Sequence, residues 1–160
     1  MGAPPPEMAT PGRANPRGIP YLYGAEDDET ALHEVMPPIG ATVSVGKFVT
    51  NRDLKFIDLT NPGIESPFRY ADTLKDLLST LALMRKLGQE LSMPVDKNRA
   101  DILYLQTQYL CELIKTLDFD GARYRSSYTG KWNMVFFDPA AGSCVAVSES
   151  RVSGVKYSVG

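Results

Sequence analysis

Thiol and imidazole groups are scarce in this chain: two cysteines, Cys111 and Cys144, and one histidine, His33, among 160 residues. Two thiols so far apart exclude a disulfide framework, and reduced cysteines in a cytoplasmic setting are the expectation. One imidazole and two separated cysteines offer no zinc-ligand spacing, so no metal is expected, and any Ser-His or Cys-His pair would have to use His33. Long apolar runs are missing too. No stretch approaches the ~18 apolar residues of a membrane span, and Met1 to Thr10 is proline-rich where a secretory signal would be charged and then apolar. A basic excess is also absent: 17 Lys plus Arg face 19 Asp plus Glu, for a net charge of -2. That balance argues against a nucleic-acid surface.

Two nucleotide signatures fail as well. No Gly-x-Gly-x-x-Gly occurs, which removes the commonest dinucleotide fingerprint but not a nucleotide held by another geometry. Gly40 to Lys47 imitates a phosphate loop, yet the spacing is one residue too long, Phe48 stands where Ser or Thr is needed, and the segment reads as a strand.

What is present is ordinary globular material, with 43% hydrophobic and 22% charged residues, enough for one domain with a single core. Residues 1–11 read as a proline-rich linker or an artificial start, and 12–160 as the domain. Ile19 to Tyr23 reads as a strand, and Asp27 and Asp28, one of them an Asp cap, precede a short helix over Glu29 to Val35 that Pro37 and Pro38 stop. Ala41 to Thr50 and Leu54 to Leu59 read as strands joined in a hairpin through Asn51-Arg52-Asp53. Asn61 to Pro67 is a loop. Ala71 to Leu87 and Arg99 to Leu117 carry leucines at helical spacing, the first stopped by Gly88, and both leucine stripes are expected in the core. Ala122 to Arg125, Trp132 to Phe137, Ser143 to Val147 and Val152 to Val159 read as strands. Helices grouped between strands predict an α+β fold with a mixed or antiparallel sheet.

Single residues say little alone. His33 and Glu34 are adjacent on a helix and point apart, so they form no acid-base pair. The acidic run Glu26 to Glu29 suits a helix start. Arg13, in the loop Pro11 to Gly18, could grip an anion with its planar fork. Tyr23 could be core or a stacking platform, Glu34 helix surface or a pocket carboxylate. Arg125-Ser126-Ser127-Tyr128 before Gly130 suits a turn.

Taken in order, however, these pieces resemble the RES domain. The matching boxes are Gly12-Arg13-x-Asn15-x-x-Gly18, Leu22-Tyr23-x-Ala25, Thr30-Ala31-Leu32-x-Glu34-Val35, Tyr104-Leu105-x-Thr107-Gln108-Tyr109-Leu110, Phe119-Asp120-Gly121-x-Arg123-Tyr124-x-Ser126-Ser127 and Gly130-x-x-Asn133-x-Val135-x-Phe137. The resemblance implies an ADP-ribosyltransferase-like fold and a bacterial toxin or defence enzyme that consumes NAD as a substrate, with no separate cofactor. It would be an NAD glycohydrolase or phosphorylase; the alternatives are a protein ADP-ribosyltransferase or a catalytically silent nucleotide- or partner-binding module. Carried over residue by residue, Arg13, Tyr23 and Glu34 would be catalytic, and Ser126, Ser127 and Asn133 would hold NAD. An antitoxin or an inhibitory upstream domain would be the regulator. Exposed sheet edges favour a homodimer.

Overall fold

The computed structural model describes residues 1–61, 73–93 and 100–154. The elements are β1 (Leu22–Ala25), α1 (Asp28–Val35), β2 (Thr42–Thr50), β3 (Phe56–Asp58), α2 (Leu74–Ser92), α3 (Ala100–Thr116), β4 (Gly121–Arg125), β5 (Trp132–Phe136) and β6 (Gly142–Arg151). Four strands form a sheet in the order β1-β5-β4-β3, and β2 and β6 form a separate ribbon. β3 runs parallel to β4 while the other pairs are antiparallel. The fold is α+β with a mixed sheet. No helix among the described residues is long and apolar enough to cross a membrane.

Register sorts the four-stranded sheet into two faces, because side chains alternate along each strand. Ala25, Asn133 and Tyr124 share one row, and Tyr23, Val135 and Ala122 the next row on the same face. That face packs on α2 and α3. Its buried cluster includes Tyr21, Leu87, Leu91, Cys111, Ile114, Ala122, Tyr124, Val135 and Phe137. Tyr21 is fixed at both ends, its ring 5.2 Å from that of Phe137 and its hydroxyl donating to Glu112 Oε1 at 2.6 Å.

The structure corrects several expectations. β1 starts at Leu22, not Ile19: the Ile19 N–H turns back to the Pro16 carbonyl, its own carbonyl accepts from Asn15 Nδ2, and Pro20 has no N–H to give a ladder. The hairpin through Asn51-Arg52-Asp53 does not form. β2 pairs with β6 and β3 with β4, and the connection between them is tied to other elements, Asn51 Nδ2 donating to the Ala140 carbonyl at 2.7 Å and Arg52 pairing with Asp120 at 2.7 Å.

Gly88 does not stop α2, which continues to Ser92. There the missing side chain permits close packing, since a Cβ would lie 2.8 Å from the Leu59 carbonyl oxygen. The leucine stripes are only partly core: Leu78, Leu105, Leu113 and Leu117 are exposed. α3 buries Thr107, Gln108, Cys111 and Ile114 instead, a narrow i, i+1, i+4, i+7 face. One strand, Gly142–Arg151, replaces the expected start at Ser143 and extends past Val147, and residues 152–154 belong to no strand. Most of the loop Asn61 to Pro67, the first residues of both leucine helices and Val155 to Val159 lie outside the described residues.

Candidate active site

Two polar clusters sit on the helix-covered side of the sheet. The first is centred on Glu34, near the end of α1. Asp27 caps that helix, its carboxylate accepting from the Thr30 N–H at 2.9 Å, and Met36 closes it in the left-handed region at φ 49°. Thr30 is fully buried and shares a 3.0 Å hydrogen bond with the Thr129 hydroxyl. His33 stacks on Tyr128 with ring centroids 6.4 Å apart. Together these contacts fix α1 against the turn between β4 and β5.

From that position Glu34 Oε1 accepts from Ser126 Oγ at 2.9 Å and from Asn133 Nδ2 at 2.7 Å. Both donors converge on one oxygen; Oε2 has no hydrogen-bond partner among the described residues. Ser126 and Asn133 are buried. Ser126 follows β4, and Asn133 lies in β5 opposite Tyr124. Ser127, by contrast, is exposed and makes no side-chain hydrogen bond among the described residues.

The second cluster is the Gly12–Asn15 loop with Tyr23. Asn15 Nδ2 donates to the carbonyls of Thr10, Pro16 and Ile19, and its Oδ1 accepts from the Tyr23 hydroxyl at 2.7 Å. The Ala14 N–H in turn donates to that hydroxyl at 3.1 Å. Only glycine fits at position 12, where a Cβ would lie 2.5 Å from Asn15 Oδ1 and 2.9 Å from the Tyr23 oxygen. Two side chains of α3 clamp the loop from beneath: Gln108 Nε2 donates to the Gly12 and Asn15 carbonyls, and Thr107 Oγ1 to the Arg13 carbonyl.

Arg13 itself is half-buried and donates through Nη1 to the Leu91 carbonyl at 2.6 Å. The rest of its fork has no hydrogen-bond partner among the described residues. Tyr23 keeps 42% of its surface exposed although its hydroxyl is occupied twice, so the ring and not the oxygen is on offer.

Tyr124 stands opposite Asn133 across β4 and β5 and belongs to the buried cluster. Burial pushes its hydroxyl well above the usual phenol range, and the neighbouring Tyr23 and Glu34 raise it further while Arg13 opposes them. Burial also pushes the Cys111 thiol up to about 12, which leaves it protonated and unreactive at neutral pH.

The clusters hold Arg13, Tyr23, Glu34, Ser126 and Asn133; Ser127 stands apart. Asn15, Thr107 and Gln108 stand in the matching boxes without an assigned role, and the structure places them in the second cluster. Polar residues on the buried stripe of α3 are the signal for Thr107 and Gln108. A separate cleft of about 1310 Å³ opens between the β2–β6 ribbon and the sheet face carrying Gly24, Met134 and Phe136, and of the candidate residues Tyr23 alone lines it. No group of three or more metal-ligating side chains occurs among the described residues.

A mixed sheet in an α+β fold thus carries a carboxylate held by two buried donors and, in a separate cluster, a half-buried loop arginine. The family model for the RES domain matches residues 1–156, and the chain belongs to that family. Membership places it, at a coarse level, among NAD-related toxin domains. Neither a curated protein nor a solved structure matches the chain.

Proposed function

We propose that this RES domain consumes NAD by cleaving the bond between nicotinamide and ribose, passing the ADP-ribosyl group to water or phosphate. The observation that carries the reading is the Glu34 carboxylate, held through Oε1 by two buried donors with Oε2 unengaged among the described residues. Departure of nicotinamide builds positive charge on the ribose, as in glycoside cleavage, and a fixed carboxylate stabilises that charge and can accept from a ribose hydroxyl.

Arg13 supplies the opposite end. With Nη1 on the Leu91 carbonyl, its remaining fork nitrogens can pair with the pyrophosphate, a task that suits a planar guanidinium. Tyr23, its hydroxyl locked and its ring exposed, offers a platform for the nicotinamide ribose. In this arrangement NAD is substrate, and the site needs no redox fingerprint.

The test is nicotinamide release from NAD by the purified chain, with and without phosphate, beside Glu34→Gln and Arg13→Ala. Wild type should release nicotinamide; Glu34→Gln should lower kcat by about 100-fold or more with little change in NAD affinity, and Arg13→Ala should damage both. A phosphate-dependent rate would identify the acceptor. Equal turnover in wild type and Glu34→Gln, or NAD binding without release, would overturn the proposal, the latter in favour of a silent binding module.

A further inference from the structure

Resting on that reading, we propose that Asn133, together with Ser126, is a positioning residue for Glu34 and does not itself contact NAD: the pair pins Oε1 so that Oε2 faces the ribose. Three observations converge. First, Ser126 has one hydroxyl proton and donates it to Glu34, while its oxygen accepts from the Tyr128 N–H at 3.3 Å. No donor is left on Ser126 for a nicotinamide carbonyl. Second, Asn133 is 3% exposed, and its Oδ1 is buried with no hydrogen-bond partner among the described residues. A buried acceptor without a donor is unfavourable, yet turning the amide over to free it would set oxygen against the Glu34 carboxylate. The side chain therefore keeps the orientation that serves Glu34.

Third, both donors are fixed from elements other than α1. Asn133 stands in the middle of the sheet between Ala25 and Tyr124, and the Ser126 N–H donates to the Lys131 carbonyl at 2.7 Å. Movement of the helix end would have to break both bonds. A carboxylate held this way meets the geometric demand of catalysis, in which a displacement of about 1 Å can cost 100-fold.

The experiment uses the full chain and the variants Ser126→Ala, Ser126→Thr and Asn133→Ala. Turnover and NAD affinity are measured separately, and the ¹³C carboxyl resonance of Glu34, assigned with Glu34→Gln, is recorded without ligand. Ser126→Ala and Asn133→Ala should lower kcat about 10- to 100-fold while the Kd for NAD stays within about 3-fold. Ser126→Thr, which keeps the hydroxyl, should restore turnover. Both alanine variants should shift the Glu34 resonance. A Kd weakened about 10-fold or more by either alanine variant would make the residue an NAD contact and overturn the proposal. So would an unmoved Glu34 resonance. If the wild type neither binds nor cleaves NAD, the functional reading fails, and the ligand-free resonance still decides whether Ser126 and Asn133 hold Glu34. Ser126→Ala removes a single oxygen and keeps the test open should Asn133→Ala not fold.

Discussion

The hydroxyl of Tyr23 takes a hydrogen bond from the Ala14 N–H and gives one to Asn15 Oδ1, so one oxygen ties the first strand to the loop that carries Arg13. Burial is the main reason this phenol is pushed well above its usual range, against the lowering effect of the Ala14 N–H, and it stays neutral and able to donate at any physiological pH. Tyr23→Phe keeps the ring and deletes both bonds. At about 1 kcal/mol each, their loss should lower stability in urea by about 1–2 kcal/mol, and the loosened loop should weaken NAD binding several-fold by calorimetry. Unchanged stability together with unchanged affinity would show that the loop holds Arg13 without Tyr23. Legibility at this scale was uneven. Arg13 and Tyr23 were visible in the sequence as a loop arginine and a strand-end aromatic, but Gly12, Asn15 and the tyrosine hydroxyl interlock through contacts that no spacing encodes. Glu34 lies 92 residues from Ser126 and 99 from Asn133, and only the resemblance to the RES domain joined them. Thr107 and Gln108 stood in a matching box without a role because the carbonyls they hold lie more than 90 residues away in the chain.

Helix α1, Asp28–Val35, carries Glu34, and its eight residues are too few to be stable without anchors. At its start Asp27 accepts from the Thr30 N–H and also pairs with Lys131, which joins the helix to the strand that presents Asn133. The hydrogen bond from Lys131, then those from Thr30, hold the Asp27 carboxyl down at about 2, against an ordinary value near 3.8. The folded protein therefore binds this proton more weakly than the unfolded chain. Stability from the charge is complete above the ordinary value and is lost as pH falls through about 2. Asn also caps helices well, so Asp27→Asn removes the charge and leaves the cap. The Tm gap between wild type and Asp27→Asn should be widest at pH 5 and above and should close toward pH 2. A gap that ignores pH would show that the ion pair contributes nothing. Asp58 behaves alike: burial raises it, the hydrogen bonds from Arg123 and Thr60 outweigh that, and it too rests at about 2, so both proteins lose some stability in acid. The helix was legible because its signals are local: an Asp cap, acidic residues after it and prolines beyond. β3 was placed in the wrong pairing because its parallel partner, Gly121–Arg125, lies some sixty residues away and the nearest strand in sequence was the obvious choice. Gly88 misled for a related reason, since the Leu59 carbonyl that requires it belongs to another part of the chain.

Across the whole molecule, packing is divided unequally between the two sheets. The buried cluster draws on α2, α3 and one face of the four-stranded sheet, and among the described residues none of its members comes from β2 or β6. Those two strands pair over nearly their whole length with one irregularity at Lys47/Phe48, but much of the ribbon is exposed and the cleft of about 1310 Å³ separates part of it from the sheet. A two-stranded ribbon is marginal on its own, so its backbone bonds should open at a lower free energy than those of the core. Native-state hydrogen exchange tests this directly. Amides of Val43 to Val49 and Val145 to Glu149 that lie in the ladder should exchange through a partial opening, while Ala122, Tyr124 and Val135 should exchange only with global unfolding. Equal protection in both sets, falling in parallel with denaturant, would show that the ribbon and the core unfold as one unit. The division matters for the site. Glu34 is held by Ser126 and Asn133, and Arg13 by Leu91, all on the core side. Opening of the ribbon should therefore reshape the cleft and leave the carboxylate and the arginine where they are, so the amides of Ser126 and Asn133 should keep core-level protection while the ribbon exchanges.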